Sequence, residues 1–535
     1  MMSGVFTSER LLFTPTSPQL DAIPTIFAFP NEYAVGITSL GYQVVWASLA
    51  MRSDIDVSRL FTDTRESLPR NPELVGFSLS WELDYVNILN LLESLEIPLR
   101  ATARTDEHPL VFGGGPVLTA NPEPFADFFD VILLGDGEDL LGNFIEAYKQ
   151  VRTNARKAQL QHLASVPGIY IPSLYEVSYR DASEGAIASI KPLESDIPAV
   201  VEKQTYRGNT LSTSTIVTEK AAWENIYMVE VVRSCPEMCR FCLASYLTLP
   251  FRTASLNGAL IPAIERGITV TNRLGLLGAS VTQHPEFEDL LDYLSKPQYD
   301  DIRLSIASVR TNTVTVKLAE TLAKRDTRSL TIAVESGSER LRQIINKKLD
   351  NDEIIRAAIN AKSGGLTGLK LYGMVGIPEE TSADLAATVA MMRDIKKASP
   401  GLRLTLGCST FVPKAHTPFQ WLGVNLEAEK RLKWLEKELR PLGVNFRPES
   451  YNWSVIQALL SRGDRRLSHL LELTRHYGDS LGSYRRAFKQ LRGSLPAMDD
   501  YVHQDWNVDR VLPWSHLQGP LPVTTLQKHL AIALK

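Results

Sequence analysis

The 535-residue sequence predicts an α/β protein in three parts: a Rossmann-like parallel sheet, then a partial (β/α)6 barrel of the TIM type, then a mainly helical C-terminal region. Short apolar, β-rich runs alternate with helical patterns through the first 150 residues. Six further β-like runs lie between 225 and 412, most of them separated by helical segments, and from Leu426 the pattern becomes mostly helical. The length exceeds what one compact domain holds. With 44% hydrophobic and 22% charged residues, the chain carries enough apolar material for sizeable cores and too little charge for general disorder.

The β-rich runs of the first part are TIFAFP (25–30), VVWASL (44–49), LVGFSLS (74–80), LVFGGG (110–115) and VILLGDGE (131–138). Between the third and fourth, Val86, Leu89, Leu91, Leu92 and Leu95 recur at helical spacing and supply a crossover. This sets a front domain over 1–165. A connector follows over 166–222, rich in Ser, Thr, Glu and Lys and long enough for a small hairpin. The barrel, 223–425, is read from NIYMVEVV (225–232), RLGLLGAS (273–280), IRLSIAS (302–308), SLTIAVES (329–336), GLKLYGMVGI (368–377) and LRLTLGCSTFV (402–412). Their apolar richness suits strands buried on both faces, and helices are expected over 314–324, 338–345, 351–363 and 382–398. The last region, 426–535, opens with Leu432, Leu435, Leu439 and Leu442 at three- and four-residue steps before Gly443.

Lys+Arg 57 against Asp+Glu 61 gives a net charge of -4, which argues against a nucleic-acid binder driven by whole-molecule charge. One segment departs from this balance: 426–492 holds 14 Lys and Arg against 8 Asp and Glu. Within it Arg462, Arg465 and Arg466, beside Tyr451 and Trp453, suit an RNA backbone and stacked bases, with a solvated helical face as the simpler reading. No run approaches the roughly 18 apolar residues of a membrane span. Residues 1–19 hold Glu9, Arg10, Pro15 and Pro18 and no secretory core, so a cytoplasmic protein without membrane contact is expected.

Four cysteines occur, and three of them form Cys235-Pro-Glu-Met-Cys239-Arg-Phe-Cys242, directly after the first barrel run. They are too close to staple a domain and read as ligands. A structural zinc needs a fourth protein ligand, and the nearest downstream histidine is His284. A 4Fe–4S cluster on three thiolates leaves one iron open to a substrate or cofactor, which points to catalysis.

This C-x3-C-x2-C motif, with Phe241 before its last cysteine, resembles the hallmark of the radical S-adenosylmethionine (SAM) superfamily. The resemblance implies that Cys235, Cys239 and Cys242 hold the cluster. It further implies that the open iron binds SAM and that an external donor of the flavodoxin or ferredoxin type supplies the electron. Gly373-Met-Val-Gly376-Ile-Pro-Glu379 is similar to the fifth-strand element of the family and assigns Gly376 and Ile377 to adenine contacts. Glu335, Ser336 and Gly337 look like the fourth-strand segment that meets the methionyl or ribose part. Ser305, Ser308 and Arg310 follow the third strand, and Arg310 or Arg340 would hold a carboxylate. In place of the family's second-strand Gly-Gly-Glu stands Gly278-Ala-Ser280, which leaves Ser280 as the polar group there.

The runs Val111-Phe-Gly-Gly-Gly-Pro116, Asn121-Pro-Glu-Pro-Phe125 and Leu134-Gly-Asp-Gly-Glu138 are similar to the front domain of cobalamin-binding-type radical proteins, iron–sulfur oxidoreductase-like in their organisation. There Gly113, Gly114, Gly115 and Gly135 would seat a cobalamin tail. The Asp-x-His-x-x-Gly of a lower histidine ligand is absent, because Asp106-Glu-His108 has Val111 where glycine should stand. His108 is therefore expected in a loop, and the domain to cap the barrel, with cobalamin as the further cofactor the resemblance implies. Lys414 and His416, between prolines in 411–421, are expected to line the substrate mouth, with His416 a candidate acid or base. Cys408 is the remaining catalytic candidate, against burial as a small hydrophobe. The reading is a radical enzyme acting on a small metabolite or cofactor precursor, with methylation among the reactions. RNA modification and a non-catalytic cluster protein are the alternatives.

Overall fold

The computed structural model describes residues 4–180, 185–478 and 480–535. Six strands make the front sheet: β1 (Ile23–Ala28), β2 (Ile55–Leu60), β3 (Leu74–Ser78), β4 (Leu110–Gly114), β5 (Val131–Leu133) and β6 (Ile169–Tyr170). They lie in the order β2-β1-β3-β4-β5-β6, parallel except for the last pair. The order reverses between β1 and β3, and a crevice opens beyond their carboxyl ends, where doubly wound sheets take their ligands.

One expected strand is a helix. VVWASL lies in Leu40–Ala50, whose first turn is fixed by Ser39 accepting the Tyr42 N–H. The helix is apolar around its circumference because Trp46, Ala47 and Leu49 enter the core while Val44 and Val45 line a cavity. The strand that follows β1 is instead β2, with the polar sequence Ile-Asp-Val-Ser-Arg-Leu. Arg59 is buried there because its guanidinium meets Glu9 and Glu66, each at 2.8 Å. The hairpin pairs Tyr175–Tyr179 with Ile187–Pro192, and its turn at 181–184 lies outside the described residues.

The barrel strands are β7 (Ile226–Arg233), β8 (Arg273–Gly278), β9 (Arg303–Ile306), β10 (Ser329–Glu335), β11 (Gly368–Val375) and β12 (Arg403–Thr410). β7-β8-β9 and β10-β11-β12 are parallel ladders, and a parallel bridge between Val309 and Ile332 joins them. A short β13 (Asn445–Pro448) adds a seventh parallel strand on β12. Side chains alternate along each strand. Leu330, Ile332 and Val334 are buried in the core shared with the outer helices, and Thr331, Ala333 and Glu335 take the opposite, inner face.

The hydrophobic interior is divided differently from the chain. Helix Ala428–Leu439 belongs to the barrel core through Leu432, Leu435 and Leu439. Later helices, among them Tyr451–Arg462 and Leu467–Arg475, share one core with the front sheet. Buried polar groups cross this second junction. Glu123 meets Arg465 at 3.1 Å and Tyr170 at 2.5 Å, and Asn121 donates to the carbonyls of Ser461 and Gly463. Lys414 joins Glu82 and donates to Ser461 at 2.9 Å. Strand Leu517–Gln518 then pairs with Val201–Glu202, which ties the C-terminus to the connector. Among the described residues no helix is long and apolar enough to cross a membrane.

Candidate active site and cofactor cavity

The cysteine loop leaves the carboxyl end of β7, where barrels of this type place their chemistry. Ser234 and Met238 take left-handed backbone conformations, with φ of 71° and 55°. Such conformations need support, and the support comes from the end of helix Glu339–Ile344. Arg240 donates to the carbonyls of Gln343 and Ile344, and the Asn346 amide donates to those of Glu237 and Met238. The guanidinium also complements the negative end of that helix. From the other side Tyr246 donates to the Met238 carbonyl and meets His529 Nδ1 at 2.9 Å. These contacts brace the loop from both sides.

Cys239 is buried and Cys235 and Cys242 are half-buried. Burial pushes the Cys239 thiol up to about 12, aided by the neighbouring Cys242, and raises Cys242 as well. Three thiols that repel one another's charge suit a cationic inorganic core that takes them as thiolates. Among the described residues no group of three or more His, Cys, Asp or Glu side chains is placed to hold a single metal ion. Phe241 packs half-buried against the large core.

The inner ends of the neighbouring strands converge on this loop. Glu335 closes β10 with φ of 64° and pairs with Lys347 at 3.1 Å. Burial opposes the Lys347 ammonium, but Glu335 and the Cys239 and Cys242 thiols outweigh it and hold it charged above the usual lysine range. Lys347 was not singled out in the sequence; the only signal was its place just past a helix end, in Asn-Lys-Lys. Ser280 donates to Gln283, whose amide donates to Glu237 inside the cysteine loop. Arg310 also binds Glu237, at 3.0 Å, and Arg340 binds Asp384 at 2.5 Å, so both arginines are committed within the protein. Ser336 is buried and accepts the Ser338 N–H, and Gly337 lets the strand end press on helix Ser382–Ala398, where a Cβ would lie 2.4 Å from Thr388 Cα. Gly376 has φ of 73° and donates its N–H to Glu380; Ile377 is wholly buried, leaving its backbone at the strand end. Ser305 and Ser308 are exposed.

Other candidates fall elsewhere. Cys408 lies on the outer face of β12 in the helix-side core, and burial pushes its thiol far up. His416 is buried beside Trp514 rather than at a mouth, its Nε2 without a hydrogen-bond partner, and burial pulls it down to about 4. His108 sits in a loop and contacts Thr105. The three arginines expected to face RNA are spent inside the molecule: Arg462 lies over Trp506 with its charge on backbone carbonyls, Arg465 holds Glu123, and Arg466 holds Asp464. These arginines hold the interior together and do not form the RNA-facing surface that their sequence suggested. Charge counting sees the cations and not their partners.

A cavity of about 610 Å3 opens where the front sheet reverses, between that sheet and the cysteine-loop side of the barrel. Its wall is largely apolar, with Phe27, Phe77, Phe112, Val44, Val45 and Leu141; Gly114, Gly115, Gly135 and Gly137, residues Leu243 to Thr248 just past Cys242, and the charged Lys203 and Arg233 complete it. Two of these glycines are required by contact: a Cβ on Gly115 would lie 2.5 Å from Leu79 O, and one on Gly135 2.0 Å from Gln204 O. The Gly-Asp-Gly-Glu loop also clamps the barrel. Arg233 meets Glu138 at 2.7 Å and Glu230 at 2.7 Å, and Arg252 meets Asp136 at 2.5 Å. A glutamate inside the apolar run of β7 was the visible sign of this cluster.

Residues 229–392 match the family model of the radical SAM superfamily, and residues 41–172 match that of the N-terminal region of radical SAM proteins. The chain belongs to the radical SAM superfamily. It is an enzyme, and membership implies a 4Fe–4S cluster and SAM as its cofactors. This radical SAM enzyme is 28% identical over 454 residues to an uncharacterized protein of Methanocaldococcus jannaschii, covering 84% of this chain and 90% of that one. An uncharacterized methyltransferase of Pyrococcus horikoshii is 23% identical over 68% of this chain and 76% of its own. In fold it is similar to the radical SAM methyltransferase TsrM of Kitasatospora setae, a structure with cobalamin and a [4Fe-4S] cluster bound. The TM-score is 0.54 at 12% identity, over 88% of this chain and all of that one.

Proposed function

We propose that this radical SAM enzyme methylates a small-molecule substrate, with cobalamin in the cavity between the front sheet and the cysteine loop. The observation that carries the reading is the cavity itself, largely apolar and at the switch point of the sheet, with strand-end glycines and the residues after Cys242 in its wall. Its apolar wall suits the base of a nucleotide arm, and the glycines Gly114, Gly115, Gly135 and Gly137 keep side chains out of that part of the cavity. Among the described residues no histidine lines this cavity, in keeping with the missing Asp-x-His-x-x-Gly motif. In this reading Cys235, Cys239 and Cys242 hold the cluster, while Glu335, Ser336, Ser280, Ser305 and the backbone at Gly376 and Ile377 surround SAM. Bound together, the cofactors supply a carbon radical by reductive cleavage of SAM and a transferable methyl group.

The protein's own residues hold and shield. The Lys347–Glu335 pair holds an ammonium beside the thiols, the Arg233 cluster closes the seam between front sheet and barrel, and the positive-φ turns let backbone approach a ligand. The electron would come from a flavodoxin or ferredoxin type of donor, and a reducing cytoplasm would keep the thiols free. Anaerobic reconstitution tests both halves. The reduced protein should form 5'-deoxyadenosine from SAM and retain one equivalent of hydroxocobalamin through gel filtration. No 5'-deoxyadenosine would overturn the radical assignment here, and no retained corrinoid would overturn the cobalamin reading.

A further inference from the structure

A second chamber of about 460 Å3 adjoins the first on the side of the C-terminal tail, with Glu202, Lys203, Arg207, Pro250, Gln518 and Leu521 in its wall. Lys203 lines both chambers. Its backbone is fixed, since its N–H donates to Gln518 O and the next residue exchanges hydrogen bonds with Leu134 and Asp136. The ammonium, by contrast, reaches only neutral oxygens among the described residues: Thr205 Oγ1 at 3.0 Å and Gln204 O at 3.4 Å.

The neighbouring carboxylates are already used. Asp136 accepts from Arg252 and from the Tyr206 N–H, and Glu138 and Glu230 both meet Arg233. Glu202 is exposed to water, and among the described residues Lys203 has no carboxylate within 4.0 Å. A half-buried ammonium near Arg252 and Arg233 is costly to keep charged; burial depresses it, and the charge of Asp136 offsets this only in part. An anionic ligand group at this point would relieve that cost. Lysine binds such groups as a point charge and does not require the two-pronged geometry of arginine.

We infer that Lys203 is the anchor of an oxyanion subsite, for a phosphate or carboxylate group that sits where the two chambers meet. The site rests on the residues named here; which molecule brings the oxyanion rests on the corrinoid reading above. Either the phosphodiester of a cobalamin nucleotide arm or an acidic group of the substrate has the required chemistry.

The test compares the full-length protein with Lys203→Gln and Lys203→Arg, each checked by near-UV circular dichroism, in two arms. Hydroxocobalamin and cobinamide, which lacks the phosphodiester, are titrated by absorbance. Inorganic phosphate is added against sodium chloride of equal ionic strength while the melting midpoint is followed. A preference for cobalamin over cobinamide of about tenfold that Lys203→Gln abolishes and Lys203→Arg keeps assigns the oxyanion to the nucleotide arm. Corrinoid binding untouched by the variants, with a phosphate-specific rise in midpoint lost only in Lys203→Gln, assigns it to the substrate. Identical behaviour of wild type and Lys203→Gln in both arms overturns the subsite. If the wild type retains neither corrinoid, the cobalamin reading falls and the phosphate arm still decides Lys203.

Discussion

Lowering the pH from 7 to 5 should loosen the joint where the front sheet, the 411–421 segment and the C-terminal tail meet. Two buried histidines stand there. His416 packs beside Trp514, and His516 packs at a tilt against Tyr170 with its Nε2 3.6 Å from Glu123. Burial pulls both down to about 4, against an ordinary value of 6.5. Between those two values the unfolded chain takes up protons that the folded protein refuses, so stability falls as pH falls. Each histidine then contributes a loss of about 3 kcal/mol in the acid limit and about 2 kcal/mol at pH 5, or about 4 kcal/mol for the two. The assay is urea unfolding at pH 7.5 and pH 5, followed by tryptophan fluorescence, which Trp421 and Trp514 make sensitive to this joint. Replacing both residues, His416→Gln and His516→Gln, should remove about 4 kcal/mol from the pH dependence whatever it does to stability at pH 7.5. Equal acid sensitivity in the wild type and the double variant would refute the argument, because the carboxylates that also titrate are common to both.

Three further outcomes are expected. Cys239→Ala should lose the iron and sulfide of the reconstituted protein and its visible absorbance; an unchanged cluster would sink the ligand assignment. Gly135→Ala should destabilise by about 2–3 kcal/mol in urea and weaken corrinoid retention. A Cβ there lies 2.0 Å from a carbonyl that itself accepts from Asp136 and cannot retreat, and the glycine φ is 124°. Lys347→Met should leave the cluster in place, move its midpoint potential to more negative values and weaken SAM binding, with Lys347→Arg restoring the potential; a potential that does not move would count against the Lys347–Glu335 pair.

The barrel was legible because each of its six runs is apolar enough to stand out, and their observed spans lie within the expected ones to about a residue; burial on both faces, which the sequence suggested, gives way to a buried helix-side face and a more open inner face, as in β9 and β10. The front sheet was harder. Helix Leu40–Ala50 is apolar all round, which erases helical periodicity, and β2 carries Asp56 and Arg59 because it is an edge strand whose arginine has found two carboxylates. At the site, the cysteine loop and strand-end glycines announce themselves by residue type and spacing. What holds them does not. The pairing of Asp136 with Arg252 joins positions 116 apart, and Arg465 with Glu123 joins positions 342 apart, distances at which sequence pattern carries no signal. The same blindness made a buried structural arginine cluster resemble a surface for RNA.

The shared core of the front sheet and the C-terminal helices has a consequence for how such a chain can be inherited. Arg465, Lys414 and Asn121 reach across that junction, so a gene that gained or lost its first 165 codons would encode a protein with buried cations and half a core facing water. Recombination at the apparent boundary is closed to it. The first and last segments of this chain must be passed on together, and a compensating pair of substitutions at this junction should sit at opposite ends of the gene.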